Sequence, residues 1–221
     1  MRWPYQVVLL ASFAVLAGCA PMARDAASAA PPEFTASNMR QYIFRSEFDE
    51  TVPLMKARDW LGLSTLARRK LEREPARGEW WQVAGYGHLM AGELALARDC
   101  FARAARLLPE EVGIINLYAA TLARQGDGRA AALAVERALQ TDPTSTFAWV
   151  LAGDLHAAAG RHREALSAYE RAIEIDRRDI FAWKALGTVA KKTGDSTVLN
   201  RALAALIPLY PPFAEELSGK P

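Results

Sequence analysis

Residues 146–179 read TFAWVLAGDLHAAAGRHREALSAYERAIEIDRRD, and the pattern they carry recurs along the chain. Counting from Trp149, a bulky residue returns every 34 positions, at Trp81, Ile115, Trp149 and Trp183. Three residues on come Ala84, Tyr118, Ala152 and Leu186, followed at once by Gly85, Ala119, Gly153 and Gly187. Eleven after the origin stand Gly92, Gly126, Gly160 and Gly194. Further on, Ala97, Ala131 and Ala165 align, then Phe101, Val135, Tyr169 and Leu203, then Ala104, Ala138 and Ala172. Pro109, Pro143 and Pro211 close three of the periods. A fixed period of this length marks an architecture of stacked units.

The residue types explain how such units pack. Small residues such as Gly85 and Gly153 let the first helix of a unit lie close to the second, and Ala97, Ala104, Ala165 and Ala172 do so from the other side. Trp149, Leu155 and Tyr169 fill the remaining space. The four glycines at 92, 126, 160 and 194 are expected to end first helices, where a left-handed backbone costs glycine little. One unit buries too little apolar surface to stand alone, so stability comes from stacked neighbours.

This spacing resembles the tetratricopeptide repeat (TPR), a helix–turn–helix unit of the same period with the pattern W-x2-L-G-x2-Y…A-x3-F…P. The resemblance implies an all-α fold, a right-handed α-solenoid. Units fall at 78–111, 112–145, 146–179 and 180–213, after a degenerate one at 44–77, where Pro75 closes the unit and Trp60 and Leu63 replace the usual turn. The repeat domain is placed at 41–217. In its last unit Leu199 and Leu206 replace alanines, and Pro208, Pro211 and Pro212 crowd the end. A terminal cap is expected there, with 213–217 adding a short helical turn.

Ahead of the repeats, Arg2 precedes an apolar run from Val7 to Leu16, too short to span a bilayer and patterned as a secretory signal. It ends in Leu16-Ala17-Gly18-Cys19, which resembles the lipobox of bacterial lipoproteins. The resemblance implies that residues 1–18 are removed and that Cys19 becomes the lipidated first residue. Several acyl chains on one residue give stable anchoring. Ala20, rather than Asp, follows, which favours the outer membrane by the rule of enterobacterial lipoproteins. The stretch 20–32, APMARDAASAAPP, has no apolar periodicity, so 19–40 reads as a flexible tether. About twenty such residues span roughly 25 Å.

The whole chain has 221 residues, 51% hydrophobic and 24% charged, with 27 basic residues against 25 acidic ones. That near balance gives no pull toward nucleic acid. Its 43 alanines suit helices. Two cysteines exclude a disulfide framework and a four-thiolate zinc site, and three histidines leave little room for a metal centre. Gly85-Tyr86-Gly87 begins like a dinucleotide fingerprint, but Met90 stands where the third glycine belongs. No nucleophile elbow, zincin helix or phosphate loop occurs. His88 and His156 share a repeat position two units apart, which suits core or groove residues, and His162 after its glycine reads as solvated. Cys100 beside Phe101 reads as a structural thiol, and Lys184, Lys191 and Lys192 as a solvated or binding face. No catalytic residue, cofactor, metal or small-molecule substrate is expected.

Tetratricopeptide arrays hold a peptide or a helix of another protein in a concave groove. By resemblance, this chain is a non-enzymatic periplasmic scaffold, most like lipoproteins that assist assembly of type IV or tight-adherence pili and their secretin. The ending Leu206-Ile-Pro-Leu-Tyr-Pro211 resembles their closing segment. The alternatives are an adaptor that gathers murein hydrolases and, in a different class, an enzyme of which the repeats are one part. Groove positions in this repeat lie one and five residues after each aligned origin. They select Gln82 and Tyr86, Asn116 and Ala120, Val150 and Asp154, Lys184 and Thr188. The set lacks the lysine-and-asparagine clamp by which chaperone-binding relatives hold a C-terminal carboxylate. These residues are expected to contribute little to the core between repeats.

Overall fold

The computed structural model describes residues 48–219. The expected signal sequence, Cys19, the expected tether and the front of the degenerate unit lie outside the described residues. Among these the fold is helical throughout, without a strand. The helices are α1 (Thr51–Lys56), α2 (Trp60–Arg73), α3 (Gly78–Met90), α4 (Leu94–Leu107), α5 (Val112–Arg124), α6 (Gly128–Thr141), α7 (Thr146–Ala158), α8 (His162–Ile175), α9 (Ile180–Thr193), α10 (Ser196–Leu209) and α11 (Pro211–Ser218). First helices start at 78, 112, 146 and 180, second helices at 60, 94, 128, 162 and 196, so one register sets every helix start in both series. None of the helices is long and apolar enough to cross a membrane.

The turn between the two helices of a pair is the same motif each time. Gly92, Gly126, Gly160 and Gly194 have φ of 82°, 84°, 74° and 78°. The next N–H donates back to the carbonyl five residues earlier: Glu93 to His88 at 2.9 Å, Asp127 to Leu122 at 3.1 Å, Arg161 to His156 at 2.9 Å, Asp195 to Ala190 at 2.9 Å. This is the Schellman arrangement, which satisfies carbonyls that a helix end leaves without partners. The expected left-handed glycines are therefore in place.

The degenerate unit keeps the same turn without the glycine. Arg58, one period before Gly92, has φ of 55°, and Asp59 N–H donates to Leu54 O at 2.8 Å. Contrary to the sequence expectation, Trp60 and Leu63 do not replace the turn. Trp60 opens α2, whose capping Asp59 accepts from Gly62 N–H at 2.8 Å, and Leu63 is buried in that helix. A large aromatic and a leucine three residues apart belong on one face of a helix, not in a turn.

The chain divides into one unit ending at Asp127 and a second beginning at Gly128. In the first, Phe48, Met55, Leu63, Ala67, Leu71, Trp80, Val83 and Ala84 form one cluster, with Cys100 buried at its edge. Burial and neighbouring Asp99 push the Cys100 thiol up to about 11, so it stays protonated at neutral pH. In the second unit Leu206, Ala214 and Leu217 pack with Ile180, Trp183, Leu203 and Phe213, so α11 closes that core. It is a helix of two turns, longer than the single turn expected at 213–217.

The small residues sit where helices cross. A Cβ on Gly85 would lie 2.7 Å from the Phe101 ring, and one on Gly153 would lie 2.3 Å from Tyr169. Ala97, Ala104, Ala165 and Ala172 are fully buried.

Candidate functional site

Burial sorts the eight groove candidates. In the first unit, α3 and α5 carry Gln82, Tyr86, Asn116 and Ala120. Asn116 and Ala120 are buried, at 4% and 1% exposure. Gln82 and Tyr86 are half-buried. Tyr86 packs edge-on against Trp60, ring centroids 6.0 Å apart, and burial drives its hydroxyl pKa upward. The Gln82 amide nitrogen is buried and has no protein partner.

In the second unit Val150 is buried, at 1% exposure. Lys184 is half-buried, because α11 lies against it. Its Nζ is 2.6 Å from Glu216 Oε2 and 4.2 Å from the centre of the Phe213 ring. Thr188 is exposed, its hydroxyl donating to Lys184 O at 2.8 Å. Asp154 is half-buried and accepts from the Tyr169 hydroxyl at 2.8 Å. Burial raises the Asp154 carboxyl to about 7, against the opposing effect of that hydrogen bond.

The expectation that all eight residues stand clear of the core is corrected by these positions. Asn116, Ala120 and Val150 are core residues, and Tyr86 belongs with the apolar cluster of the first unit. Spacing one and five from the origin finds the right helix side, but that side is partly closed by neighbouring side chains. Of the eight, Thr188 is exposed, and Gln82, Tyr86, Asp154 and Lys184 are half-buried.

The other polar residues singled out in the sequence also have structural work. His88 Nδ1 is 2.6 Å from Glu93 Oε2, and His156 Nδ1 accepts from Arg161 Nε at 3.0 Å, so both histidines bridge a Schellman turn. His162, expected in solvent, is half-buried, with its Nδ1 enclosed. Lys191 donates to Leu217 O at 2.7 Å, binding α11, while Lys192 is exposed. Among the described residues no group of three or more His, Cys, Asp or Glu could hold a metal ion.

The repeat tryptophans have a role that sequence reading missed. The indole N–H of Trp81 donates to Pro75 O, that of Trp149 to Pro143 O and that of Trp183 to Arg177 O, each at 2.9 Å. Each closes the loop that precedes its own helix. Arg103 lies over the Trp81 ring at 4.8 Å and Arg171 over Trp149 at 5.8 Å, from equivalent second-helix positions. The signal was present in the sequence, where an arginine follows each of those two tryptophans at one common spacing.

Helix pairs in strict register, left-handed turn glycines and small residues at the crossings define the repeat. Residues 122–190 match the family model of the tetratricopeptide repeat. Among curated proteins no match is found. Solved TPR-type structures share the fold. The crystal structure of MamA is similar over 80% of this chain and 98% of that one, with a TM-score of 0.61 and 19% identity. YrrB, described as a TPR protein with an unusual peptide-binding site, is similar over 84% of this chain and 100% of that one, at 0.57 and 18%. In the APC/C hetero-tetramer Cut9–Hcn1, 34% of the matching chain covers 83% of this one, at 0.64 and 17%. At these identities the likeness is one of fold.

Proposed function

We propose that this chain is a non-enzymatic scaffold that binds a protein partner along the first-helix side of its tetratricopeptide repeats. The reading rests on the repeat register carried by every helix pair, an arrangement that YrrB, with its peptide-binding site, shares as a fold. Asp154 and Thr188 are the positions that the second unit offers to the partner. The lipobox supports anchoring at a bacterial outer membrane, facing the periplasm, through lipid on Cys19. There the scaffold assists assembly of a pilus or of its secretin.

The anchor is tested by Cys19→Ser with labelled fatty acid. Loss of label and an unprocessed or mislocalised protein are expected; undiminished label in the variant rejects the anchor. The partner is tested by crosslinking in intact cells. Crosslinks to secretin subunits support pilus assembly, whereas crosslinks to murein hydrolases instead establish the adaptor reading.

A further inference from the structure

Asp154 is a poor choice for a purely structural residue. Tyr169 is 1% exposed and its hydroxyl needs one acceptor, which Asp154 supplies at 2.8 Å. Asn would accept that hydrogen bond equally well. A carboxylate adds only the cost of a charge drawn out of water, which a buried charge offsets by finding an opposite one.

The second unit supplies no such charge. Among the described residues no cation comes within ion-pairing distance of Asp154, and several basic groups around α8 and α9 are engaged elsewhere. On α9, Lys184 pairs with Glu216 and Lys191 with Leu217 O, both on α11. On α8, Arg171 pairs with Glu174, and Arg161, just ahead of that helix, donates to His156 on α7. Beyond Asp154 in the register, on the neighbouring first helix, Thr188 is open to solvent. Asp154 is therefore a half-buried acid whose carboxyl has one neutral donor.

We infer that Asp154 is the recognition point for a lysine or arginine side chain of a peptide lying along α7 and α9. The incoming cation supplies the missing opposite charge, and the Tyr169 hydroxyl holds the carboxylate in place to meet it. A positively charged side chain is the occupant that this site distinguishes from all others. Neutral peptides gain nothing there, and acidic ones are repelled. This rests on the proposed peptide-binding role and adds the chemistry of the ligand.

The test uses the full chain and a phage-displayed library of random dodecapeptides. Peptides selected on the wild type are expected to share one basic position. Asp154→Asn, which keeps an acceptor for Tyr169, is expected to bind those peptides about tenfold more weakly or worse. Replacing the shared basic residue by norleucine should weaken binding to the wild type by a similar factor and leave binding to Asp154→Asn unchanged. Near-UV circular dichroism of the variant, matching the wild type, shows that the core is intact. Selected peptides without a basic position, or equal binding by Asp154→Asn, overturn this inference and leave the groove reading standing. A library that yields no binder overturns both.

Discussion

The pair α1–α2 and the pair α7–α8 occupy equivalent places in the register, yet they reach the same turn by different means. In α7–α8 the left-handed position is Gly160, and the crossing sets Gly153 beneath the Tyr169 ring. In α1–α2 the left-handed position is Arg58, and the residues in register with Gly153 and Tyr169 are Thr51 and Ala67, both fully buried. Large and small have changed places across the register. Thr51 stays satisfied within its helix start, its hydroxyl donating to Phe48 O at 2.7 Å. The repeat thus keeps the backbone geometry of the turn while the sizes at the crossing are exchanged. That is what close packing demands, since interiors tolerate exchange when volume is kept.

The largest expected effect tests that exchange. Tyr169→Ala should cost about 3–5 kcal/mol and Gly153→Thr about 1–3 kcal/mol in chemical denaturation. The double variant, which transplants the α1–α2 sizes into α7–α8, should cost less than the sum by about 1 kcal/mol or more. Strict additivity would break the volume argument.

Next comes pH. The pair α1–α2 has Val52 in register with Asp154, so this titration is confined to α7–α8. Asp154 titrates near 7 in the folded state and near 3.8 as a free carboxyl. Between these values the folded chain holds a proton that the unfolded one has lost, so stability falls as pH rises from about 4 to about 7. The loss should be about 1–3 kcal/mol after allowance for residual exposure. Asp154→Asn should flatten this part of the pH–stability curve; curves that run parallel would deny the shifted carboxyl.

The smallest effects concern the turns, and their signs oppose. Gly160→Ala places a Cβ in a left-handed backbone and should destabilise by about 1 kcal/mol. Arg58→Gly relieves the same conformation and should stabilise by about 0.5 kcal/mol, the gain being reduced by the freer unfolded chain. Equal signs in thermal melts would show that the two turns are not equivalent.

Much of this fold was legible because its determinants are local and periodic. Four glycines at one spacing announce four turns, and an alanine at each crossing announces a close approach. Arg58 was not legible as a turn residue, because its conformation is imposed by the flanking helices and no residue type signals it. At the candidate site the limit was of another kind. The register placed Asp154 and Thr188 on the first-helix side, but it had no means to show that Asn116, Ala120 and Val150 are covered there. Exposure depends on the sizes of neighbours far along the chain, and Lys184 is covered by α11, which begins only after the whole of α10 has intervened. The indole-to-carbonyl bonds were hidden because a buried-looking tryptophan says nothing of where its N–H points.

Those bonds bear on how such a chain changes in length. Loops between helices ordinarily absorb insertions and deletions with little penalty, because closing a somewhat longer loop costs little entropy. Here Trp81, Trp149 and Trp183 each reach back six residues to a fixed carbonyl, tying the loop to the helix it introduces. One residue added between 143 and 149 would move the acceptor out of reach and turn the following helix by about 100° relative to the one before it. These three loops are thus closed to gradual drift, and length is gained or lost there without disturbing the tie only by whole repeats.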